Sequence, residues 1–161
     1  MEDFHIRLIR KNDSAALAAI IRNTLEEFGA NYAGTVYYDS STDHLYELFQ
    51  RKISIYFVAE DEHQILGGAG IYPTEGLPEN TCELVKMYLL PVARGKGLGQ
   101  ELIARCLQFA GEAGYQQVYL ETMPELTKAM KVYEKFGFSY LNGPLGNSGH
   151  FGCAVWMLKH L

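Results

Sequence analysis

A glycine-rich turn between a predicted strand and a predicted helix most constrains what this chain can fold into. It reads Arg94-Gly95-Lys96-Gly97-Leu98-Gly99-Gln100 and follows an apolar stretch that ends at Leu90. Because glycine lacks a Cβ, such a turn bends sharply and its N–H groups can face a ligand. The following helix adds free N–H donors and a partial positive charge. Arg94 and Lys96 add formal charge, so the turn is predicted to bind an anion.

Other phosphate-binding motifs place their glycines differently. A P-loop is excluded because the chain contains no Gly-Lys-Ser or Gly-Lys-Thr. The dinucleotide pattern GxGxxG fails as well, since Gln100 or Leu102 occupies the position of its last glycine. Glu121, at the end of the next predicted strand, does match the ribose-binding acid of such folds. A dinucleotide site and a purely structural turn stay open as alternatives, although neither uses Arg94 and Lys96.

Composition predicts a single folded domain over residues 1–161. Of the 161 residues 48% are hydrophobic, which is enough for a sizeable core, and the net charge is −5. An acidic chain lacks the surplus of lysine and arginine that general nucleic-acid binding requires, so no nucleic-acid partner is expected. Residues 94–105 nevertheless carry three basic residues and one acidic residue, a small basic clamp in an acidic protein.

Cysteine, histidine and N-terminal patterns predict no disulfide framework, no metal site and no membrane segment. Cys82, Cys106 and Cys153 form no CxxC pair, and the five histidines show no ligand spacing. Residues 1–5 lack the positive charge of a signal peptide, and no apolar run approaches a membrane span. We therefore expect buried, reduced thiols and a cytoplasmic protein.

Hydrophobic periodicity predicts a mixed α/β chain without linker or repeat. The predicted strands are 4–10, 53–59, 65–72, 81–89, 118–121, 138–140 and 153–158. The first predicted helix can be capped by Asp13 or Ser14, and the others run around 43–51, after the glycine turn and from about 125 to 135. We expect the closing strand around Val155 to be exposed and able to pair with a second copy, which makes a homodimer conceivable.

The glycine turn is one of two motifs that follow one another along the chain. The first is Arg-x-x-Gly-x-Gly, with Arg94, Gly97 and Gly99 after a strand that ends in Met87-Tyr88-Leu89. The second, residues 129–138, is similar to Ala-x-x-x-Tyr-Glu-Lys-x-Gly-Phe. Together they resemble the GNAT superfamily of N-acetyltransferases. The resemblance implies an α/β (α+β) fold, with a mixed central sheet that splays between its fourth and fifth strands and is flanked by helices.

The resemblance also implies that acetyl-coenzyme A (acetyl-CoA) is the acetyl donor and lies where the two strands splay. In the family its pyrophosphate lies on the glycine turn, its pantetheine pairs with the first strand's backbone, and a backbone donor near Leu89 would stabilise the oxyanion. Carried over, the cofactor-binding residues are Met87, Tyr88, Leu89, Arg94, Gly95, Lys96, Gly97, Leu98, Gly99 and Gln100. Leu126 departs from the family, because many members have asparagine there, and Thr127 or the backbone is expected to replace that polar contact.

The implied reaction is acetyl transfer to a primary amine of a small molecule or protein, by direct attack without an acyl-enzyme. An alkyl ammonium with a pKa near ~10 must first lose a proton. Glu83 matches the glutamate base of histone-acetylating members. Strand alternation predicts that it shares a face with Val85, Met87 and Leu89, unless a bulge re-aims them. Tyr133 matches the family's tyrosine that protonates the leaving thiolate. The alternatives are an edge-strand carboxylate paired with lysine and a core-packing tyrosine.

Two competing functions remain at this point. One is a non-catalytic acyl-CoA-binding sensor or interaction domain, which would need neither Glu83 nor Tyr133. The other is a nicotinamide-dependent oxidoreductase. The acceptor is equally open: Asp39, Asp43 and Glu75 lie in loops expected near the acceptor side, where they would form an electronegative mouth that favours a cationic amine. Solvated loop acids without that role are the alternative.

Overall fold

A computed structural model describes residues 3–161, so the N-terminal pattern at Met1 and Glu2 lies outside the described residues. Seven strands and four α-helices make up the fold. The strands are β1 His5–Leu8, β2 Ile55–Glu60, β3 Ile65–Tyr72, β4 Thr81–Leu89, β5 Gln117–Thr122, β6 Ser139–Leu141 and β7 Val155–His160. The helices are α1 Ser14–Glu27, α2 Leu45–Leu48, α3 Leu98–Glu112 and α4 Thr127–Lys135. Periodicity therefore predicted each of these elements, with α2 shorter than expected.

All seven strands form one sheet in the order β1-β2-β3-β4-β5-β7-β6. Every neighbouring pair is antiparallel except β4 and β5, which are parallel. That parallel pair is in register only at Thr81–Glu83 against Gln117–Tyr119, although β4 continues to Leu89. The two strands thus diverge beyond Glu83. The predicted fold class, a mixed sheet that splays between its fourth and fifth strands, is confirmed.

The two faces of the sheet bury separate hydrophobic clusters. On one face, α1 contributes Leu17, Ile21 and Leu25, which recur at helical spacing and pack in the cluster that contains Val58. The other face carries α3, whose Leu102, Ile103 and Cys106 are completely buried. Alternate residues of each strand face opposite sides, so one sheet supports both helical layers. The cleft between β4 and β5 lies between these layers.

Two glycines of β3 leave room for a tyrosine that supports the neighbouring strand. A Cβ at Gly70 would lie 2.7 Å from the Tyr56 ring, and a Cβ at Gly68 would also overlap that ring. Tyr56 is therefore able to lie across β3, where its hydroxyl donates a 2.7 Å hydrogen bond to the carbonyl of Lys86 in β4. Glycine is required at both positions for this close approach.

Two predictions, one for the last strand and one for the start of the first helix, differ from the structure. β7 pairs with β5 on one side and β6 on the other, and Val155 is opposite Thr122. It is thus an interior strand, and the expectation of an exposed edge at Val155 for a homodimer is wrong. Asp13 precedes α1, but its carboxylate does not cap the helix. It accepts hydrogen bonds of 2.7 and 3.0 Å from the Arg7 guanidinium instead, which ties β1 to α1.

Within residues 3–161, no helix combines the length and apolar character that crossing a bilayer requires. The three cysteines are buried and have free thiols, as predicted.

Candidate active site

A cleft of about 640 Å³ opens where β4 and β5 diverge. β4 and β5 form its floor, while the end of α1, the glycine turn and α4 form its walls. The cleft brings together both predicted catalytic residues and eight of the ten predicted cofactor-binding residues. These are Glu83, Tyr133, Met87, Tyr88, Leu89, Arg94, Gly95, Gly97, Gly99 and Gln100. The other two, Lys96 and Leu98, do not line it, because Lys96 is exposed elsewhere and Leu98 packs in the core.

A β-bulge in β4 determines which side chains reach the cleft. The register against β3 shifts between Gly68 and Gly70, and Lys86 at the bulge has a positive φ of 54°. Beyond the bulge the strand's two faces exchange. Met87 and Leu89 pack with the α3 cluster, whereas Val85 packs with the α1 cluster. The expectation that Met87 and Leu89 share the face of Glu83 and Val85 is therefore wrong, because the bulge inserts one residue into the alternation.

The glycine turn has the geometry of an anion-binding loop. Gly95 and Gly97 have positive φ values of 76° and 82°, and Gly97 is the N-cap of the fifteen-residue helix α3. A Cβ at either position would meet open space, so their glycines serve the backbone conformation. Gly99 has no such φ, and a Cβ there would make ordinary contacts with Leu89 Cδ1 at 3.5 Å and Met87 Cε at 3.9 Å. Glycine at 99 instead leaves the cleft wall open at the first turn of α3.

Arg94 has partners within the protein that sequence reasoning did not foresee. Its guanidinium donates hydrogen bonds of 2.7 and 3.0 Å to the Glu27 carboxylate and of 3.2 and 3.0 Å to the Leu89 carbonyl. It also lies 5.3 Å from the centre of the Phe28 ring. Arg94 thus joins the ends of β4 and α1 beside the cleft, and Glu27 compensates part of the predicted basic clamp.

Glu83 is a buried carboxyl at the point where β4 leaves β5. It is 4% exposed, and Oε1 accepts a 2.5 Å hydrogen bond from the Thr74 hydroxyl. Burial raises the pKa of Glu83 to about 7, which Glu121 reinforces and the Thr74 hydrogen bond and the cations of Lys86 and His150 oppose. β4 is an interior strand and the hydrogen-bond partner is Thr74, so the alternative of an edge-strand carboxylate paired with lysine is wrong.

Tyr133 combines a packed ring with a hydroxyl that faces the cleft. Its side chain is 7% exposed, and its ring meets Phe138 edge-on with centroids 5.9 Å apart. Within residues 3–161 the hydroxyl has no hydrogen-bond partner, yet no fully buried polar side-chain atom there lacks one. The hydroxyl must therefore retain access to the cleft. Burial raises the pKa of Tyr133, so its phenol is protonated at neutral pH.

Charged side chains near Glu83 form a cluster that we call the polar cluster: Asp39, Lys86, Glu121 and His150. The His150 ring contacts Asp39 at 2.5 Å and Glu121 at 3.7 Å, and Lys86 Nζ lies 3.8 Å from Asp39. Although burial lowers the pKa of His150, hydrogen bonds with Asp39 and Glu121 raise it to about 9. His150 is thus a cation at neutral pH. Sequence reasoning missed Lys86 and His150, and a lysine inside a mostly apolar strand was the available signal.

The expected acidic mouth is smaller than predicted. Asp43 is bound by both terminal nitrogens of Arg22, at 2.5 and 3.0 Å, and does not line the cleft. Glu75 is exposed, and its backbone carbonyl accepts a hydrogen bond from the Asn147 amide. Of the three loop acids only Asp39 contacts residues that line the cleft, His150 at 2.5 Å and Lys86 at 3.8 Å, although Asp39 itself does not line it. The acid in this part of the site is therefore paired rather than free.

Three possible metal ligands also converge here. Ligand atoms of Glu121, His150 and Cys153 lie within 4.8 Å of one another, although their spacing along the chain predicted nothing. Glu121 already accepts hydrogen bonds from Ser148 and Tyr119, and His150 bonds to Asp39. We assign no metal to this group, and the lack of a metal site stays a prediction. Leu126, which departs from the resemblance, does line the cleft.

Comparisons with known proteins decide the family. The model of the acetyltransferase (GNAT) family matches residues 19–138. The chain belongs to this family. It is an acyltransferase, and a full-length relative is similarly described: the uncharacterized N-acetyltransferase YjgM of Escherichia coli is 38% identical over 97% of this chain and 94% of its own length. The resemblance to the GNAT superfamily that the two sequence motifs indicated is thereby confirmed.

Solved structures share the fold of this GNAT protein at low identity. An acetyltransferase from Streptococcus agalactiae covers all of both chains with a TM-score of 0.85 and 17% identity. The yncA protein of Salmonella typhimurium, solved with its cofactor acetyl-CoA, has a TM-score of 0.75 and 20% identity over 99% of this chain and 94% of its own. At these identities the likeness extends to the fold alone.

Proposed function

We propose that this protein transfers the acetyl group of acetyl-CoA to a primary amine of a small molecule or protein by direct attack of the amine. The proposal rests on two side chains that line the same cleft. A buried carboxyl with a pKa near neutrality, Glu83, and a protonated phenol without a protein partner, Tyr133, line it together. Amine acetylation needs one group that accepts a proton and another that donates one.

The residues around the cleft fit acetyl-CoA. The turn at Gly95 and Gly97 leads into the N-terminus of α3, which suits the pyrophosphate. Between Leu84 and Leu89, β4 makes no ladder with β5, which leaves its backbone groups for the pantetheine. The acetyl-CoA bound in yncA, a protein of the same fold, supports the same donor here. Met87, Tyr88 and Leu89 would hold the pantetheine, and the cleft-lining residues of the turn, Gly95, Gly97, Gly99 and Gln100, the phosphates.

The proton transfers that the reaction requires suggest a role for each of the two cleft residues. Glu83, ionised above its pKa of about 7, takes a proton from the bound ammonium directly or through water. The freed nitrogen forms the new N–C bond as the C–S bond of the thioester breaks. Tyr133 donates its hydroxyl proton to the departing sulfur, and the second proton that the nitrogen loses on becoming an amide restores the phenol of Tyr133. A backbone N–H near Leu89 supports the carbonyl oxygen while it carries negative charge.

The cysteines support direct transfer without an acyl-enzyme. Cys153 lines the cleft, but burial raises the pKa of its thiol to about 12, so almost no nucleophilic thiolate exists at neutral pH. Cys82 and Cys106 pack in the α3 cluster, and burial raises the pKa of both thiols. A C153S variant should therefore retain activity.

A substitution at the cleft wall tests the cofactor site. We expect Gly99→Val to fold normally, because a Cβ at Gly99 has only ordinary contacts, but to fill the space where α3 faces the cleft. Acetyl-CoA affinity should fall at least about tenfold, measured by thermal stabilisation. Gly111→Val is the matched control, since Gly111 lies on the same helix, is exposed, and has open space around it. Equal acetyl-CoA stabilisation in both variants would contradict the assignment.

One experiment separates the competing functions. Thermal stabilisation should appear with acetyl-CoA and coenzyme A but not with NAD, because ligand stabilisation rises with concentration over Kd. Release of free thiol is then followed with a panel of primary amines. Stabilisation without thiol release from any amine would favour the sensor or interaction domain over the enzyme. Stabilisation by NAD alone would favour the oxidoreductase and overturn the proposal.

A further inference from the structure

Lys86 is a buried cation that faces the cleft and has no hydrogen-bond partner among residues 3–161. Its side chain is 5% exposed, and the residue lines the cleft. The contact with Asp39 Oδ2, at 3.8 Å, is too long for a hydrogen bond. No fully buried polar side-chain atom in residues 3–161 lacks a partner, so Nζ must retain access to the cleft. The Lys86 ammonium therefore has N–H donors that a ligand in the cleft can use.

The neighbouring acids do not satisfy this lysine. Asp39 gives its shorter contact, 2.5 Å, to His150, and Glu121 is occupied by Tyr119, Ser148 and His150. Burial lowers the pKa of Lys86, and Asp39 and Glu83 only partly oppose this. A buried ammonium is costly unless it is paired and hydrogen-bonded. An anionic group of a ligand would supply what the protein leaves out.

Lys86 lies away from the glycine turn that suits the cofactor's pyrophosphate. The turn begins at Arg94, past the C-terminal end of β4, whereas Lys86 lies within β4 at its bulge. Lys86 contacts Asp39, and through it the polar cluster, and its neighbour Val85 packs with the α1 cluster rather than with that of α3. Its position is next to Glu83, the group that would receive the proton of the acceptor amine.

We propose that the acceptor is a small amino acid, whose carboxylate binds Lys86 Nζ while its amine is directed to Glu83. This inference rests on the proposed function and adds the acceptor's chemical class to it. A site that offers a proton acceptor and an unsatisfied cation matches a dipolar molecule. A simple alkylamine, a polyamine or a protein lysine would leave Lys86 without its partner. Charge-assisted hydrogen bonds to a carboxylate are the stronger kind, so this contact selects among amines.

Matched acceptors and a matched variant test the proposal. The panel contains the protein amino acids, β-alanine and γ-aminobutyrate, each beside its carboxamide, which keeps the amine and removes the negative charge. Wild-type protein should prefer one acid over its carboxamide at least about tenfold in kcat/KM, or about 1.4 kcal/mol. In K86M that preference should fall to about twofold or less. K52M is the control, because Lys52 is exposed and does not line the cleft, and it should keep the wild-type preference.

A binding arm separates this proposal from the proposed function. With coenzyme A present and no acetyl donor, the preferred amino acid should stabilise wild-type protein against heat more than its carboxamide does, and K86M should lose the difference. K86Q provides a second variant, and the coenzyme A response reports whether either has folded. Turnover without preference for a carboxylate would overturn the amino-acid acceptor and leave the acetyltransferase standing. A Lys86-dependent binding preference without any turnover would do the reverse.

Discussion

Replacing Tyr133 with phenylalanine (Y133F) is expected to lower kcat by about 10²- to 10⁴-fold, the usual contribution of a positioned general acid. Acetyl-CoA affinity and thermal stability should hardly change. The ring that packs against Phe138 is kept, and within residues 3–161 no protein group loses a hydrogen bond when the hydroxyl is removed. Thiol release under saturating substrates, with acetyl-CoA stabilisation measured in parallel, checks both parts.

Two further tyrosines make this test specific. Y140F is the matched surface control, because Tyr140 is exposed and its hydroxyl bonds only to Glu134 at 2.6 Å. It should retain wild-type kcat within about twofold. Tyr88 also lines the cleft, and its hydroxyl has no hydrogen bond to another residue within 3–161. If Y88F rather than Y133F lost turnover, the proton donor would be Tyr88; if neither did, water would protonate the thiolate and Tyr133 would be a packing residue.

The sequence predicted the strands, helices and turns because the residues within each element largely determine its conformation. The bounds of β4 agree with the alternation in residues 81–89, and the glycines at 95 and 97 do have the positive φ that their residue type suggests. The bulge at Lys86 could not be predicted in this way. It is held by the hydroxyl of Tyr56, thirty residues earlier, which lies across two glycines of another strand. Faces inferred beyond the bulge were consequently wrong.

In the site, too, residues that belong to a local motif could be predicted, whereas contacts between residues far apart in the chain could not. Glu83 and Tyr133 were selected because they stand at fixed positions relative to motifs. The motif assigns Arg94 to the cofactor, but its carboxylate partner Glu27 is 67 residues away in the chain and belongs to no motif. The spacing of the histidines likewise gives His150 no role, because its partner Asp39 is 111 residues away. Ion pairs between distant loops depend on the tertiary fold, and no spacing in the sequence reports them.

The substitution E83Q is expected to reduce turnover by about 10²- to 10⁴-fold at neutral pH, and the deficit should shrink as the pH rises. Wild-type kcat/KM should increase through about pH 7, where Glu83 ionises and becomes able to accept a proton. The variant should lack that step and follow only the ionisation of the amine. At high pH more amine arrives without its proton, so the glutamate becomes less necessary. E79Q is the control, since Glu79 is exposed and lies outside the cleft.

Stability should change in the direction opposite to activity, because the same burial that makes Glu83 a base penalises its charge. The carboxyl ionises near pH 4.5 in the unfolded chain and near pH 7 in the folded one, so folding takes up a proton between these values. Wild-type stability from this group is complete below about pH 4.5 and is lost as the pH rises through 7. Relative to wild type, E83Q should therefore gain roughly 3 kcal/mol between pH 4 and pH 8 in denaturant unfolding. If the pKa of Glu83 were the same in the folded and unfolded chain, the difference in unfolding free energy between E83Q and wild type would be equal at pH 4 and pH 8. Loss of turnover in E83Q without the gain in stability would mean that Glu83 ionises well below neutrality. Such a carboxylate is too weak a base to take the proton from the amine.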